Sequence, residues 1–302
     1  MTTLHDEPVS DTDALMASKA SNRAPVIVPG PHRDCPICDT DNANGEPVRY
    51  SRDPWQLKQC RDCGLVYLEN PPGYEALSVD LAWEKSYTME MQRRRKGHRL
   101  HYLISDPLKR VRVLFRGGGV RRKEQAWIAR HVGSGRLLDV GCGTGRTLME
   151  LPKSIIPYGI EISEHLAAET NKLCRSRGGY VVENNAVDGM GQFEADFFDG
   201  MMLRAFLEHE TQPRLLLEAA QHALAPKGRI IIKVPNYSSV NRVVRGGNWC
   251  GFRFPDHVNY FTPETLRRVV EMTGFRVTQF GVLDRFPFND NMWLAAEKPA
   301  AR

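Results

Sequence analysis

RLLDVGCGTGRTL, residues 136–148, carries the strongest structural signal in this 302-residue chain. Two aliphatic residues, Leu137 and Leu138, run into Asp139, and then Gly141, Gly143 and Gly145 alternate with Cys142 and Thr144. An apolar strand that ends in alternating glycines is a strand-to-turn junction where backbone must come close to a ligand. Glycine reaches positive φ and has no Cβ to block the approach. In an open α/β sheet that junction lies at the carboxyl end of a strand, where ligands bind. Cys142 sits between two glycines, where a small residue fits, and reads as a packing residue within the ligand-facing turn.

Two nucleotide-type readings compete for this turn. The dinucleotide fingerprint G-x-G-x-x-G needs a glycine at position 146, which is Arg146. The actual pattern, D-x-G-x-G-x-G, has its acid two residues before the first glycine. A second acid, Glu161, ends the next strand candidate in YGIEIS, 22 residues after Asp139. A strand-end carboxylate has two oxygens to offer to the two hydroxyls of a ribose.

Outward from the turn, elements alternate. Gln125 to Val132 reads as a helix and Ser163 to Arg177 as another, with Ser163 as N-cap and Gly178-Gly179 at its end. Tyr180 to Glu183 and Phe197 to Leu203 read as strands, and Pro213 to Leu224 as a helix. The β-branched run from Arg229 to Val234 reads as a buried strand. Thr262-Pro263 opens a helix that Gly274 ends. Two closely spaced strands follow, Phe275 to Gly281 and Met292 to Glu297. The order implies an α/β fold with a seven-stranded, mostly parallel, Rossmann-like sheet holding one antiparallel strand.

The D-x-G-x-G-x-G pattern resembles motif I of class I S-adenosylmethionine-dependent methyltransferases. FFDGMMLRAFLEH (197–209), LAPKGRIIIKVPN (224–236) and DHVNYFTPETLRRVVEMTGF (256–275) resemble later stretches of that family, in the same order and spacing. The resemblance covers roughly residues 123–299. It implies that the turn of Asp139, Gly141, Cys142, Gly143 and Gly145 holds the methionine end of S-adenosylmethionine, that Glu161 binds the ribose, that Asn185 lies near the adenine and that Leu203 presents backbone at the sulfonium.

Seven cysteines occur. The first four form two CxxC knuckles, Cys35/Cys38 and Cys60/Cys63, separated by 21 residues. That spacing fits a tetrahedral structural zinc with all four positions filled by thiolates. Disulfides or a redox CxxC are the alternatives, and the odd total together with two matched pairs favours metal. A zinc ribbon is expected over residues 31–72, after a disordered tail over 1–30. Zinc-dependent methyltransferases of sugars and related natural products are similar in arrangement. The C-methylating members carry a further C-terminal domain that this chain is too short to hold, which favours O- or N-transfer.

Residues 73–122 read as a basic helical linker or lid. From Glu84 to Lys123, thirteen Lys and Arg face only Glu84, Glu90 and Asp106, a net +10 in a chain of net +5. Either a solvated helix face or a grip on an anionic partner accounts for it. Trp83 to Tyr87 could pack over the cofactor. The polar N-terminus has no apolar core and no run reaches 18 apolar residues, so neither a signal peptide nor a membrane partner is expected and a cytoplasmic location is.

For an acceptor hydroxyl, histidine is the natural base near neutral pH. His257, in the long segment from Asn236 to Phe261, is the first candidate and His209, in LEHE, the second. Structural roles for both are the competing reading. The aromatic residues of that segment, among them Tyr237, Trp249, Phe252 and Tyr260, would suit a sugar or aryl acceptor, and an aromatic mini-core under a loop is the competing reading. A small-molecule acceptor is the leading expectation. An RNA or protein acceptor is second, and a non-catalytic binding module third.

Overall fold

The computed structural model describes residues 28–73 and 119–300. The tail ahead of residue 28, and the basic stretch from 74 to 118 with Trp83 to Tyr87, lie outside the described residues.

The chain enters through two short antiparallel strands, β1 (Leu57–Gln59) and β2 (Val66–Leu68). Helix α1 (Gly119–His131) leads into β3 (Gly135–Val140), the strand of the glycine motif. A short α2 (Arg146–Met149), β4 (Ile155–Glu161), α3 (Glu164–Arg175), β5 (Val181–Glu183), α4 (Ala186–Met190), β6 (Phe198–Arg204) and α5 (Pro213–Ala223) follow. The long β7 (Leu224–Pro235) precedes α6 (Val240–Arg245) and β8 (Asn259–Tyr260). Helix α7 (Pro263–Met272) then leads to β9 (Arg276–Gln279) and β10 (Asn291–Glu297).

Seven of these strands form one sheet, ordered β5-β4-β3-β6-β7-β10-β9. β3 to β7 are parallel, and β10 inserts antiparallel between β7 and β9. The fold class is therefore the one expected. Alternation along each strand sorts the core onto two faces. Leu137, Met202 and Ile231 pack against Trp127 and Ile128 of α1, Leu148 of α2 and Cys174 of α3. Leu138, Leu203, Ile230 and Ile232 pack against Leu216 and Leu217 of α5 and Leu266 and Val269 of α7. A strand buried on both faces reads as a continuous apolar run, and Ile230-Ile231-Ile232 is one. Ser163 caps α3 as expected, accepting a hydrogen bond from the Leu166 N–H, and Thr262 and Thr265 form a capping box on α7.

The segment from Asn236 to Phe261, expected as one long irregular stretch, forms in part α6, a 3₁₀ turn (Gly246–Asn248) and β8. β8 pairs with β2, so the strands beside the cysteines form a three-stranded sheet, β1-β2-β8, completed from more than 190 residues downstream in the sequence (Val66 opposite Tyr260, with Tyr67 opposite Asn259). Tyr237, Trp249, Phe252 and Tyr260 are buried against Trp55, Leu57, Val66 and Leu68. Rings of this size bury the largest apolar area available to single side chains, and the ribbon's apolar strands offer the surface on which to bury them.

Trp249 is fully buried in this shared cluster, and its indole N–H donates to Asp290 Oδ1 at 2.8 Å. Trp249→Ala is expected to cost about 3–5 kcal/mol in urea unfolding. Because the cluster belongs to both layers, tryptophan fluorescence and far-ultraviolet dichroism should report one coincident transition in both proteins.

Candidate functional site

The glycine turn lies where the strand order reverses, between β3 and its neighbours β4 and β6. Gly141, Gly143 and Gly145 all have positive φ, at 70°, 51° and 67°. Their surroundings differ. A Cβ on Gly141 would stand 2.5 Å from the Phe206 ring, and one on Gly145 would stand 2.7 Å from Thr170. Among the described residues, a Cβ on Gly143 would meet nothing within 4 Å. Toward these residues Gly143 faces open space, while its flanking glycines allow the turn to pack tightly. The Cys142 side chain points the other way, buried against Gly159 of β4, and its N–H donates to the Ile160 carbonyl. Cys142 therefore supports the turn from behind rather than offering a side chain to a ligand, and burial pushes its thiol far up from the usual range.

Glu161 ends β4 and braces the turn. Its Oε2 accepts from the Gly143 N–H at 2.8 Å and its Oε1 from the Ser163 N–H at 3.0 Å. Each carboxylate oxygen keeps a further lone pair for a ligand hydroxyl. Asp139 is 2% exposed at the end of β3. Burial pushes its carboxyl up to about 7, against the pull of Arg204 and with Glu124 and Glu161 adding to the push. An acid held there is poised to accept a cationic partner. Asn185 caps α4, accepting from the Asp188 N–H at 3.0 Å and donating to the Asp188 carboxylate at 2.6 Å. Its side chain is thus engaged locally. Leu203 is fully buried in β6 between Val140 and Ile232.

Beyond β6 the chain turns at Ala205, φ 53°, and runs through Phe206, which touches the glycine turn, to Glu208 and His209. Here the structure brings the two histidines together: the rings of His209 and His257 lie 4.6 Å apart, edge to face. His209 Nδ1 is 2.9 Å from Asp256 Oδ1, and His257 Nδ1 is 2.8 Å from the Gly251 carbonyl. Burial alone would lower His209, but the charge and hydrogen bond of Asp256 raise it above the usual histidine value. His257 is driven well down by burial and by His209. Of the two, His209 is the stronger base. Glu208, 1% exposed, completes the group, and burial raises its carboxyl.

The four N-terminal cysteines also converge, with their sulfurs all within 4.8 Å of one another. Cys35 and Cys63 sulfurs are 3.4 Å apart and those of Cys38 and Cys60 are 3.5 Å apart. That is too long for a disulfide and near the ~3.8 Å between thiolates around one tetrahedral zinc. The two knuckles repeat one geometry, since Asp39 and Gly64, each directly after the second cysteine, both have positive φ. Burial opposes ionisation of Cys60, yet the backbone N–H groups of Cys63 and Asp62 bring it down to about 6, while Cys63 and burial push Cys35 up. Four thiols packed this closely ionise together only around a cation.

The profile of a methyltransferase domain matches residues 92–280. The chain belongs to this methyltransferase family. A 157-residue part of the methyltransferase, 52% of the chain, is 24% identical to 72% of MJ1123, an uncharacterized protein of Methanocaldococcus jannaschii. Among solved structures, the [4+2]-cyclase SpnF superposes with a TM-score of 0.48 at 19% identity, over 60% of this chain and 81% of that one. An S-adenosylmethionine-dependent methyltransferase of Archaeoglobus fulgidus superposes with a TM-score of 0.47 at 23% identity, over 62% and 97%. Among the described residues of the methyltransferase, no helix is long and apolar enough to cross a membrane.

Glu208, Asp256, Arg204 and Glu124 escaped the sequence reading. The first two adjoin the candidate histidines, and the available signal was an acid beside each histidine in LEHE and PDH. Arg204 and Glu124, 3.7 Å apart, come from separate elements and left no local signal.

Asp139 gives a pH-dependent test. Its folded pKa, about 7, lies above the ordinary 3.8, so the folded protein keeps a proton that the unfolded chain has released. The stability this proton confers is fully present below about pH 3.8 and is lost as pH rises to about 7. Asp139→Asn removes that loss. In cofactor-free protein the variant's stability relative to wild type should climb through this window and level off above it, by a few kcal/mol at about 1.4 per unit. Urea unfolding at a series of pH values measures it.

Proposed function

We propose that this methyltransferase moves the methyl group of S-adenosylmethionine to a hydroxyl or amine of a small-molecule acceptor, a saccharide or a secondary metabolite. One observation supports this most directly. The open face of Gly143 and the Glu208–His209–His257 group lie at adjoining strand ends, linked by Phe206, so a cofactor on the first and an acceptor at the second are neighbours. The residues present fit the cofactor: Gly143 leaves space that a Cβ would fill, Asp139 is a buried acid suited to an ammonium, and Glu161 has lone pairs for the ribose. In this reading Gly141 and Gly145 shape the turn, with Cys142 behind it. Leu203 offers backbone beside the sulfonium and Asn185 borders the adenine. S-adenosylmethionine supplies an electrophilic methyl on a sulfonium. The protein aligns the acceptor in line with it and draws off the acceptor's proton at the Glu208–His209–His257 group.

The four cysteines, in this reading, hold one structural zinc, and the ribbon over residues 31–72 and the catalytic domain from 123 onward work as one body. A polymer acceptor is the second reading, favoured by the net +10 between Glu84 and Lys123. It requires binding that weakens steeply with salt, whereas a neutral small acceptor does not.

Glu161→Ala should lower the affinity for S-adenosylmethionine in calorimetric titration by roughly 1.5–3 kcal/mol, the worth of hydrogen bonds to a charged group. Unchanged affinity would remove Glu161 from the ribose. Elemental analysis of the purified protein should find a zinc that Cys60→Ser abolishes, with a lower melting temperature in the variant. Zinc retained in full by Cys60→Ser would end the four-thiolate reading.

A further inference from the structure

Glu208, His209 and His257 each offer one donor atom, and the three atoms lie within 4.8 Å of one another. They come from two segments, the turn after β6 and the approach to β8. The free ring nitrogens follow from the hydrogen bonds already made. A carbonyl only accepts, so His257 Nδ1, 2.8 Å from the Gly251 oxygen, carries its hydrogen and leaves a lone pair on Nε2. The Asp256 carboxylate, 2.9 Å from His209 Nδ1, imposes the same arrangement there. Asp256 is held in turn by Arg253 at 2.5 Å. Glu208 is 1% exposed, and its Oε2 has no hydrogen-bond partner among the described residues. A carboxylate oxygen buried without a partner is costly, and natural proteins seldom leave one unexplained. Two imidazole nitrogens and a carboxylate oxygen this close together are a donor set that one cation can satisfy at once.

We propose that Glu208, His209 and His257 bind one divalent transition-metal ion, separate from the cysteine centre, with its remaining positions open to water and to an acceptor oxygen. Two nitrogens and one carboxylate on one side of an ion are the donor set of mononuclear sites that keep positions open for chemistry. The Asp256–His209 pair is the carboxylate–histidine arrangement that fixes the ring and strengthens its donor nitrogen. The thiolates of the ribbon select zinc, whereas this harder set also takes Mn²⁺, Fe²⁺ or Co²⁺, so the two centres are chemically separable.

The place of this ion in catalysis rests on the methyl-transfer reading; the binding itself does not. An acceptor hydroxyl on the ion gives up its proton to solvent. Its oxygen then forms the O–CH₃ bond as the S–CH₃ bond breaks, and the sulfur keeps the electron pair. The histidines serve as ligands rather than as bases. Acceptors with two adjacent hydroxyls, such as a sugar diol or a catechol, could chelate the ion and are the class the site would take.

The test is titration of the zinc-loaded, full-length protein with Mn²⁺ alone, read as loss of the free-ion signal in electron paramagnetic resonance. Zinc in the four-thiolate centre is not displaced by Mn²⁺. Wild type should take up one Mn²⁺. Glu208→Gln, which keeps the shape of the residue, and His257→Gln should each weaken uptake tenfold or more, while binding S-adenosylmethionine as wild type does. Asp256→Asn, a positioning change, should weaken it less than either. The absence of uptake by wild type would overturn the proposal, as would equal uptake by the Glu208→Gln and His257→Gln proteins. The latter result would place the ion elsewhere, for instance at the exposed group of His32, Asp34 and Asp41. Loss of S-adenosylmethionine binding by wild type would defeat the methyl-transfer reading and leave the Mn²⁺ result to stand alone.

Discussion

Arg33 joins two parts of the chain that nothing in the local sequence connects. Its guanidinium lies over the Tyr67 ring at 5.4 Å and donates to the carbonyls of Leu68, Thr211 and Val258 at 2.7–2.9 Å and to Asn259 Oδ1 at 3.2 Å. The planar fork of arginine can satisfy several fixed acceptors at once, which an ammonium cannot match. Around it, β2 pairs with β8, and Asn259 Nδ2 donates to the carbonyls of Leu207 and Glu210. The Glu208 carbonyl accepts from the N–H groups of Val258 and Asn259. The turn that carries Glu208 and His209 is therefore bonded on one side to β8, and through β8 and Arg33 to the ribbon. A network so buried is stable only when complete, and it places the cysteine centre in mechanical contact with the histidine pair.

Further bonds extend the same seam. Arg214 of α5 reaches Asp39, beside the first knuckle, at 2.6 Å, and Arg268 of α7 donates to the Asp62 carbonyl, within the second, at 3.2 Å. Ile37, Leu65 and Tyr67 share one buried cluster with Leu203 and Leu216. The ribbon packs as part of the fold. A small four-cysteine module has too little apolar surface to close a core of its own, and here the sheet and its loops supply the rest.

On the other side of the site the turn is built for tension as well as fit. Gly141 and Gly145 are pinned by Phe206 and Thr170, and Glu161 ties the Gly143 N–H to the end of β4. Asp139 and Glu161 bring two acids to adjacent strand ends, with Arg204 partly offsetting them. Such an arrangement sacrifices stability in the free protein and is relieved by a cationic ligand, the usual bargain between folding and binding at a functional site.

What the sequence by itself determined was whatever short-range chemistry dictates. The glycine turn, the α/β order, the cap at Ser163, the helix start at Thr262-Pro263 and the two cysteine knuckles were all legible, because each depends on residues within a few positions of one another. The proximity of His209 and His257, the addition of β8 to the ribbon's sheet and the burial of the aromatic segment were decided only by the tertiary structure. Their partners lie between 47 and 226 residues away, as in Asp256 on His209 and Asn259 on Arg33, and periodicity carries no information across such gaps. The unequal basicity of His257 and His209 has the same origin: it is set by the neighbouring charge, and Asp256 stands against His209.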